Sequence, residues 1–176
     1  VGADADRTCG AATVTGRSFL PTLLAVPIFI CPSCGRRSAA AERTAGFSER
    51  PRGCPHCGSA FVFELLDDYY PAPNAAFFIL DRQGRLLGTG KGARELTGLG
   101  DLDVIGRPAR EVLGLRFADG DDPIATALEW GVRVLGRNVR VHAEGDQEEL
   151  AICDVLPAYD DDGGALLILT PTVETS

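Results

Sequence analysis

The sequence predicts an α+β chain: a small N-terminal unit tied by four cysteines, then a five-stranded antiparallel sheet carrying short helices. Three observations predict it. Cys31-Pro32-Ser33-Cys34-Gly35 and Cys54-Pro55-His56-Cys57-Gly58 are two matching turns. From Ala75 onward, short apolar runs alternate with Gly- and Asp-rich turns and brief helical patterns. The chain has 176 residues, room for one ordinary domain plus a small one, and its 45% hydrophobic content can supply a core.

Residues 1–18 are rich in Ala, Gly, Thr and Asp and are expected to form a flexible tail, because they bury too little apolar surface to offset their ordering entropy. Cys9 is read there as a free thiol. Residues 19–66 form the cysteine unit with a leading apolar tether. The run Phe19 to Ile30 has some look of a signal-peptide core, but Pro21 and Pro27 interrupt it and no small-residue cleavage site follows. Pro27 biases Val26 toward extended geometry, so Ile28-Phe29-Ile30 enters the first turn as a strand. Arg36 to Arg52 is polar and forms a loop or hairpin arm. Ser59 to Leu66 reads as another strand, or a strand turning into a short helix.

Each turn offers two thiols from one bend, and the glycine after the second cysteine lets the backbone curl beneath the sulfurs. Together, Cys31, Cys34, Cys54 and Cys57 supply the four thiolates of a tetrahedral site, which suits one structural Zn²⁺. Such regular CxxC turns are commoner as metal sites in reducing compartments than as disulfides, so a cytoplasmic location is expected. His56 lies inside the second turn, but four cysteines already complete the tetrahedron. The turns also resemble rubredoxin, whose Cys₄ site holds redox iron. That family has a longer spacer and an aromatic cluster, whereas Phe47 is the only aromatic between these turns. Iron is therefore the second choice.

Net charge is −8, a poor match for nucleic acid or an anionic membrane. The acidity is uneven. Residues 74–176 hold ten basic and eighteen acidic side chains, whereas residues 31–58 carry Arg36, Arg37, Arg43, Arg50 and Arg52 against Glu42 and Glu49. Nucleic-acid binding through these arginines is a weaker alternative, because aromatic stacking partners are few. No run reaches the length of a membrane span.

Residues 67–73 form an acidic, Pro-containing hinge whose tyrosines, Tyr69 and Tyr70, are placed between the two units. Residues 74–176 form the second unit. Ala76–Asp81 and Arg85–Gly90 are a hairpin closed by Arg82-Gln83-Gly84. Short helical segments follow around Ala93–Gly98, Asp101–Pro108 and Ala109–Gly114. Asp122 then caps a longer helix, Ile124 to Gly131, with Pro123 at its first position. Three strands complete the sheet: Val132–Glu144, Glu149–Tyr159 and Ala165–Val173. Asp160-Asp161-Asp162-Gly163-Gly164 turns between the last two, and its acids, like Asp119, Asp121 and Asp122, read as turn and cap residues rather than Ca²⁺ ligands.

This order resembles the PAS domain family. Phe78-Ile79-Leu80-Asp81-Arg82-Gln83-Gly84-Arg85-Leu86 is similar to its opening hairpin. Leu96-Thr97-Gly98 with Asp103-Val104-Ile105-Gly106-Arg107 is similar to its helical region. Pro157 to Gly164 resembles its last turn. The likeness runs from Asn74 to Val173, and the cysteine unit resembles zinc ribbons by its cysteines alone. The PAS resemblance implies a half-barrel sheet around a small cavity, a sensing role, and dimerisation or partner binding through that domain. Phe77, Ile79, Leu87, Leu128, Val141 and Ile152 are the candidates to line such a cavity or fill its core. No cysteine lies between Cys57 and Cys153, so flavin-adduct chemistry is not expected. Residues 123–133 lack the histidine that haem-binding members use, so haem is not expected either. His142 is read as a strand residue rather than a haem ligand or a metal partner of Cys153. Trp130 is expected to pack on the sheet or on a dimer partner.

With His56 and His142 as its two histidines, the chain suggests no catalytic set and is read as non-enzymatic. The expected function is regulatory: a PAS-like sensor or dimerisation domain joined to a zinc ribbon that binds a protein partner. No kinase, cyclase or DNA-binding helix is read after the last strand, so output is expected through the ribbon, a homodimer interface or a separate partner. The alternatives are a nucleic-acid-associated regulator and a rubredoxin-like iron protein.

Overall fold

The computed structural model describes residues 27–39, 53–65, 68–118, 120–142, 148–158 and 163–172. The expected tail with Cys9, the tether, Arg43, Phe47, Arg50, Arg52, Asp119 and Asp160–Asp162 lie outside them. Two antiparallel sheets organise the described residues. The smaller has the order β2-β1-β3, from β1 (Ile28–Ile30), β2 (Arg37–Ala39) and β3 (Phe63–Leu65). The pairing of Ile30 with both Arg37 and Phe63 makes β1 the central strand.

The larger sheet has six strands rather than the expected five, in the order β5-β4-β9-β8-β7-β6. They are β4 (Ala76–Leu80), β5 (Leu86–Thr89), β6 (Arg116–Phe117), β7 (Val134–His142), β8 (Glu148–Pro157) and β9 (Ala165–Pro171). The additional strand, β6, is two residues long and pairs Arg116 with Arg140 and Phe117 with Val139. So short a segment has no periodicity to read; tertiary pairing creates it. Between β5 and β7 lie α1 (Ala93–Thr97), α2 (Asp101–Val104), α3 (Ala109–Val112) and α4 (Pro123–Trp130).

Local chemistry explains the boundaries. The Asp81 carboxylate accepts from the backbone N–H groups of Gln83 and Arg85, both at 2.8 Å, and closes the β4–β5 turn. The Asp122 carboxylate accepts from Ile124 and Ala125 N–H at 2.9 and 3.1 Å, capping α4 behind Pro123. Gly131, in the left-handed region at φ 61°, ends that helix. Among the described residues, no helix is long and apolar enough to cross a membrane.

Both faces of the large sheet are buried at its centre. All five residues of β4 are buried, as are the first five of β9. The inner face packs Phe78, Leu80, Val155, Leu167 and Leu169 against Leu96, Val104, Leu113 and Ile124 from the helical side. The outer face carries Phe77, Ile79, Leu156, Leu166 and Ile168, and packs against Ile30, Phe63 and Leu65 of the small sheet. Strand register fixes this division: Phe78 stands opposite Leu167, while Phe77 stands opposite Ile168 and Ile79 opposite Leu166. A continuous apolar strand suits such a doubly covered position.

Candidate functional site

The two cysteine turns have the same backbone geometry. In the first, Gly35 N–H donates to the Cys31 carbonyl at 2.8 Å and Cys31 N–H to the Arg36 carbonyl at 3.0 Å. In the second, Gly58 N–H donates to the Cys54 carbonyl at 3.0 Å and Cys54 N–H to the Ser59 carbonyl at 2.8 Å. Gly35 and Gly58 sit at φ 69° and 75°, where a side chain would be strained. The matched bends face one another.

All four sulfurs lie within 4.8 Å of one another. Cys31 Sγ is 3.6 Å from Cys57 Sγ, and Cys34 Sγ is 3.7 Å from Cys54 Sγ. A tetrahedron with metal–sulfur bonds of about 2.3 Å has edges of about 3.8 Å, and a disulfide would need about 2.05 Å. The spacing therefore fits four ligands around one ion, and the four cysteines can hold a metal.

Their acidity is unevenly divided. Burial pushes the Cys34 thiol up to about 12. Burial also raises Cys54, but the backbone N–H groups of His56 and Cys57 and the neighbouring thiols outweigh it and bring Cys54 down to about 7. Acids this close do not ionise independently. A divalent cation at their centre removes the repulsion, and coordinating thiols lose their protons outright. His56 is exposed and its Nδ1 lies 3.3 Å from Arg36 Nη1, away from the sulfurs' ligand set.

The centre is fixed to the large sheet. Lys91 N–H donates to the Pro32 carbonyl at 2.9 Å. A Cβ on Gly90 would collide with that carbonyl oxygen, so glycine permits the close approach. Lys91 also packs over Gly35 and donates from Nζ to the Pro73 carbonyl at 3.3 Å. Ile30 and Phe63, each adjoining a cysteine turn through its strand or loop, insert into the outer-face cluster.

The hinge tyrosines divide their roles. Tyr69 is half-buried against the outer-face cluster, and its hydroxyl donates to Asp154 Oδ2 at 2.6 Å. Asp154 Oδ1 accepts from Gly136 N–H at 2.6 Å, where β7 bulges between Val134 and Arg137. Burial, this hydrogen bond and the Asp154 charge all push the Tyr69 phenol up. Tyr70 is exposed, and the Arg37 guanidinium lies 3.9 Å over its ring.

The six cavity candidates fall on both faces of the sheet and do not converge. Phe77 and Ile79 belong to the outer-face cluster beneath the cysteine unit. Val141 is buried in the inner core, and Leu128 packs half-buried against it. Leu87 is exposed on β5, and Ile152 is half-buried on β8, on the face opposite Cys153. Cys153 is fully buried in the inner core while His142 is exposed and pairs in register with Glu148, so the two do not meet. Trp130 is 71% exposed rather than packed on the sheet.

Sequence reasoning missed three parts of the site: the Lys91–Pro32 link, the Tyr69–Asp154 pair, and the seat for Ile30, Phe63 and Leu65. The signal for the last was present. Phe77 and Ile79 alternate with Phe78 and Leu80 as apolar residues on both parities, which requires a cover on each face. An open groove of about 470 Å³ also runs past Arg110, Arg116, His142 and Glu148. Glu148 pairs there with Arg116 at 3.3 Å and Arg140 at 3.2 Å, exposed ion pairs that contribute little stability.

Comparison with known proteins bears on the large sheet. No curated protein matches the chain. Among solved structures, a PAS domain from Colwellia psychrerythraea is 22% identical over 56% of this chain and 86% of its own, with a TM-score of 0.47. The PAS domain of nitrogen regulation protein NR(II) from Vibrio parahaemolyticus is 14% identical, covering 57% and 91%, also at 0.47. The light-state dimer of the fungal blue-light photoreceptor Vivid is 13% identical, covering 61% and 83%, at 0.46. A family model described as PAS fold matches residues 72–175, more than half of the sequence, and the chain therefore belongs to the PAS fold family.

Proposed function

We propose that this chain is a non-enzymatic regulatory protein. Its PAS domain senses a signal, and a structural zinc ribbon seated on the sheet presents a surface to a protein partner. Cys31, Cys34, Cys54 and Cys57 would hold one Zn²⁺. The ion supplies no reaction, since a closed four-thiolate site offers no open position. It holds the two turns together so that Ile30, Phe63 and Leu65 keep their seat.

The observation that carries this reading is the division of the ribbon's surface. Its apolar side is buried on the PAS sheet, while Arg36, His56 and Phe61 remain exposed. A strand movement in the sheet reaches the ribbon through Phe77, Ile79 and Ile168, and also through Asp154 and Tyr69. The cytoplasm, where thiols stay reduced, suits such a site.

Native mass spectrometry combined with affinity capture tests the proposal. One zinc per chain is expected, together with a protein partner retained by wild type and lost on Arg36→Glu or Phe61→Asp substitution. Bound iron with visible absorption, or a partner indifferent to both substitutions, would contradict it.

A further inference from the structure

The four cysteines differ in exposure. Cys31 and Cys54 are buried, at 1% and 5%, in the ribbon's own cluster with Phe29 and Val62. Cys34 is half-buried and Cys57 is exposed. Close contacts join an accessible sulfur to a buried one across the two turns. Exposed Cys57 stands 3.6 Å from buried Cys31, and half-buried Cys34 stands 3.7 Å from buried Cys54. The two contacts share no sulfur, so both can close together. Each pair must approach by about 1.6 Å to reach the ~2.05 Å of a disulfide.

This division suits oxidation in two steps, with hydrogen peroxide as the oxidant. Peroxide reaches the accessible sulfur first. The Cys57 sulfur takes one peroxide oxygen as the O–O bond breaks, and the other oxygen leaves as water with the thiol proton. Cys57 is then a sulfenic acid and the peroxide is reduced. The Cys31 sulfur behind it attacks the Cys57 sulfur. The S–S bond forms, the S–O bond breaks, and the hydroxyl leaves with the Cys31 proton as a second water. Cys34 and Cys54 repeat both steps with a second peroxide. Where a cation holds the sulfurs as thiolates, water supplies these protons, and the ion leaves because a disulfide sulfur is no longer a thiolate ligand.

The products join residues 26 and 20 positions apart and tie the first turn to the second, as a shared ion would. Bonds within each CxxC turn would leave the two turns untethered. A cross-link closing such a loop stabilises chiefly by restricting the unfolded chain. Ile30 and Phe63 then keep their place on the outer face of the large sheet without a metal. Cys153 is fully buried in the inner core, apart from this chemistry.

We propose that hydrogen peroxide closes the four cysteines into the cross-turn disulfides Cys31–Cys57 and Cys34–Cys54, which replace the metal as the staple of the docked ribbon. The replacement rests on reading the cysteines as a metal centre; the pairing rests on the sulfur contacts and exposures.

The test treats the zinc-loaded full chain with hydrogen peroxide, blocks remaining thiols with an alkylating agent, and maps tryptic peptides without reduction. Cys31 and Cys34 fall in peptide 18–36, and Cys54 and Cys57 in peptide 53–82. The two peptides should appear joined and four hydrogens lighter, with one Zn²⁺ released per chain. The Lys91 amide should stay protected from hydrogen exchange in the oxidised chain with chelator present, and lose protection when a phosphine is added. Cys34→Ser with Cys54→Ser leaves the contacting pair Cys31 and Cys57. It should cross-link about tenfold faster than Cys34→Ser with Cys57→Ser, which leaves two buried sulfurs out of line. Unjoined peptides, sulfinic or sulfonic acid at Cys57 in place of a disulfide, or equal rates for the two double variants overturn the pairing. An unprotected Lys91 amide in the doubly bonded chain overturns the staple role. A chain that takes up no Zn²⁺ yet joins its peptides overturns the metal reading and supports the pairing.

Discussion

The backbone N–H of Lys91 donates to the carbonyl of Pro32 at 2.9 Å, joining the first cysteine turn to the end of the β4–β5 hairpin. Pro32 stands between two metal-ligand candidates, and Lys91 follows the last residues of the hairpin. Any change in either unit's position must break or carry this bond.

Serine at Cys31 or Cys54 removes one of the four thiolates. Zinc affinity should fall by about 100-fold or more, beyond the loss expected for a supporting residue. Competition with a chromogenic chelator measures it. The far-ultraviolet signal of the PAS sheet should persist, because its inner core contains neither residue.

Tyr69→Phe deletes the hydroxyl that serves a carboxylate buried to 9% exposure. Leaving a buried acceptor under-satisfied costs about 1–3 kcal/mol. Urea denaturation should show that loss. Tyr70→Phe, at an exposed ring whose contact with Arg37 uses the face rather than the hydroxyl, should change stability by less than about 0.5 kcal/mol.

Stability should fall at alkaline pH. Burial and the Asp154 and Asp122 charges push the Cys153 thiol from 9.0 up to about 12. The folded chain therefore keeps this proton where the unfolded chain has released it. The contribution is full below about pH 9 and is lost as pH rises from about 9 toward 12. Tyr69, also pushed up, acts in the same direction at still higher pH. Denaturation midpoints between pH 8 and pH 11 check this, and Cys153→Ala should flatten the decline.

Core and surface substitutions should separate cleanly. Phe78→Ala, at a fully buried position, should cost about 3–5 kcal/mol. Trp130→Ala, at a residue 71% exposed, should cost less than about 0.5 kcal/mol in the monomer. Asp122→Ala should cost about 1 kcal/mol by removing the cap on α4. Thermal melting of the three variants ranks them.

Much of this was legible because it is local. Cys31, Cys34, Cys54 and Cys57 mark through spacing alone a set of thiols that can hold a metal. Asp122 before Pro123 marks the helix start, and Asp81 to Gly84 marks a hairpin. Features set by long-range contact were not legible in the same way. Arg116–Phe117 becomes a strand through its pairing with Val139–Arg140. Phe77 and Ile79 read as residues that line a cavity or fill a core; register places them in the outer-face cluster. The continuous apolar runs Ala75–Leu80 and Ala165–Leu169 implied two covers, but nothing local to them identifies Ile30, Phe63 and Leu65 as the second. Trp130 is expected on the sheet or on a dimer partner; its place at the end of α4 leaves it 71% exposed in the single chain, off the sheet.

Hydrogen exchange at the Lys91 amide is the most direct measurement of the claim that a metal-held ribbon is docked on the PAS sheet. In the zinc-loaded chain this amide should be protected. After chelation under reducing conditions it should exchange near the rate of an unstructured amide, while the Phe78 and Leu167 amides stay protected. A Lys91 amide that is unprotected with zinc bound, or equally protected with and without it, would contradict the account.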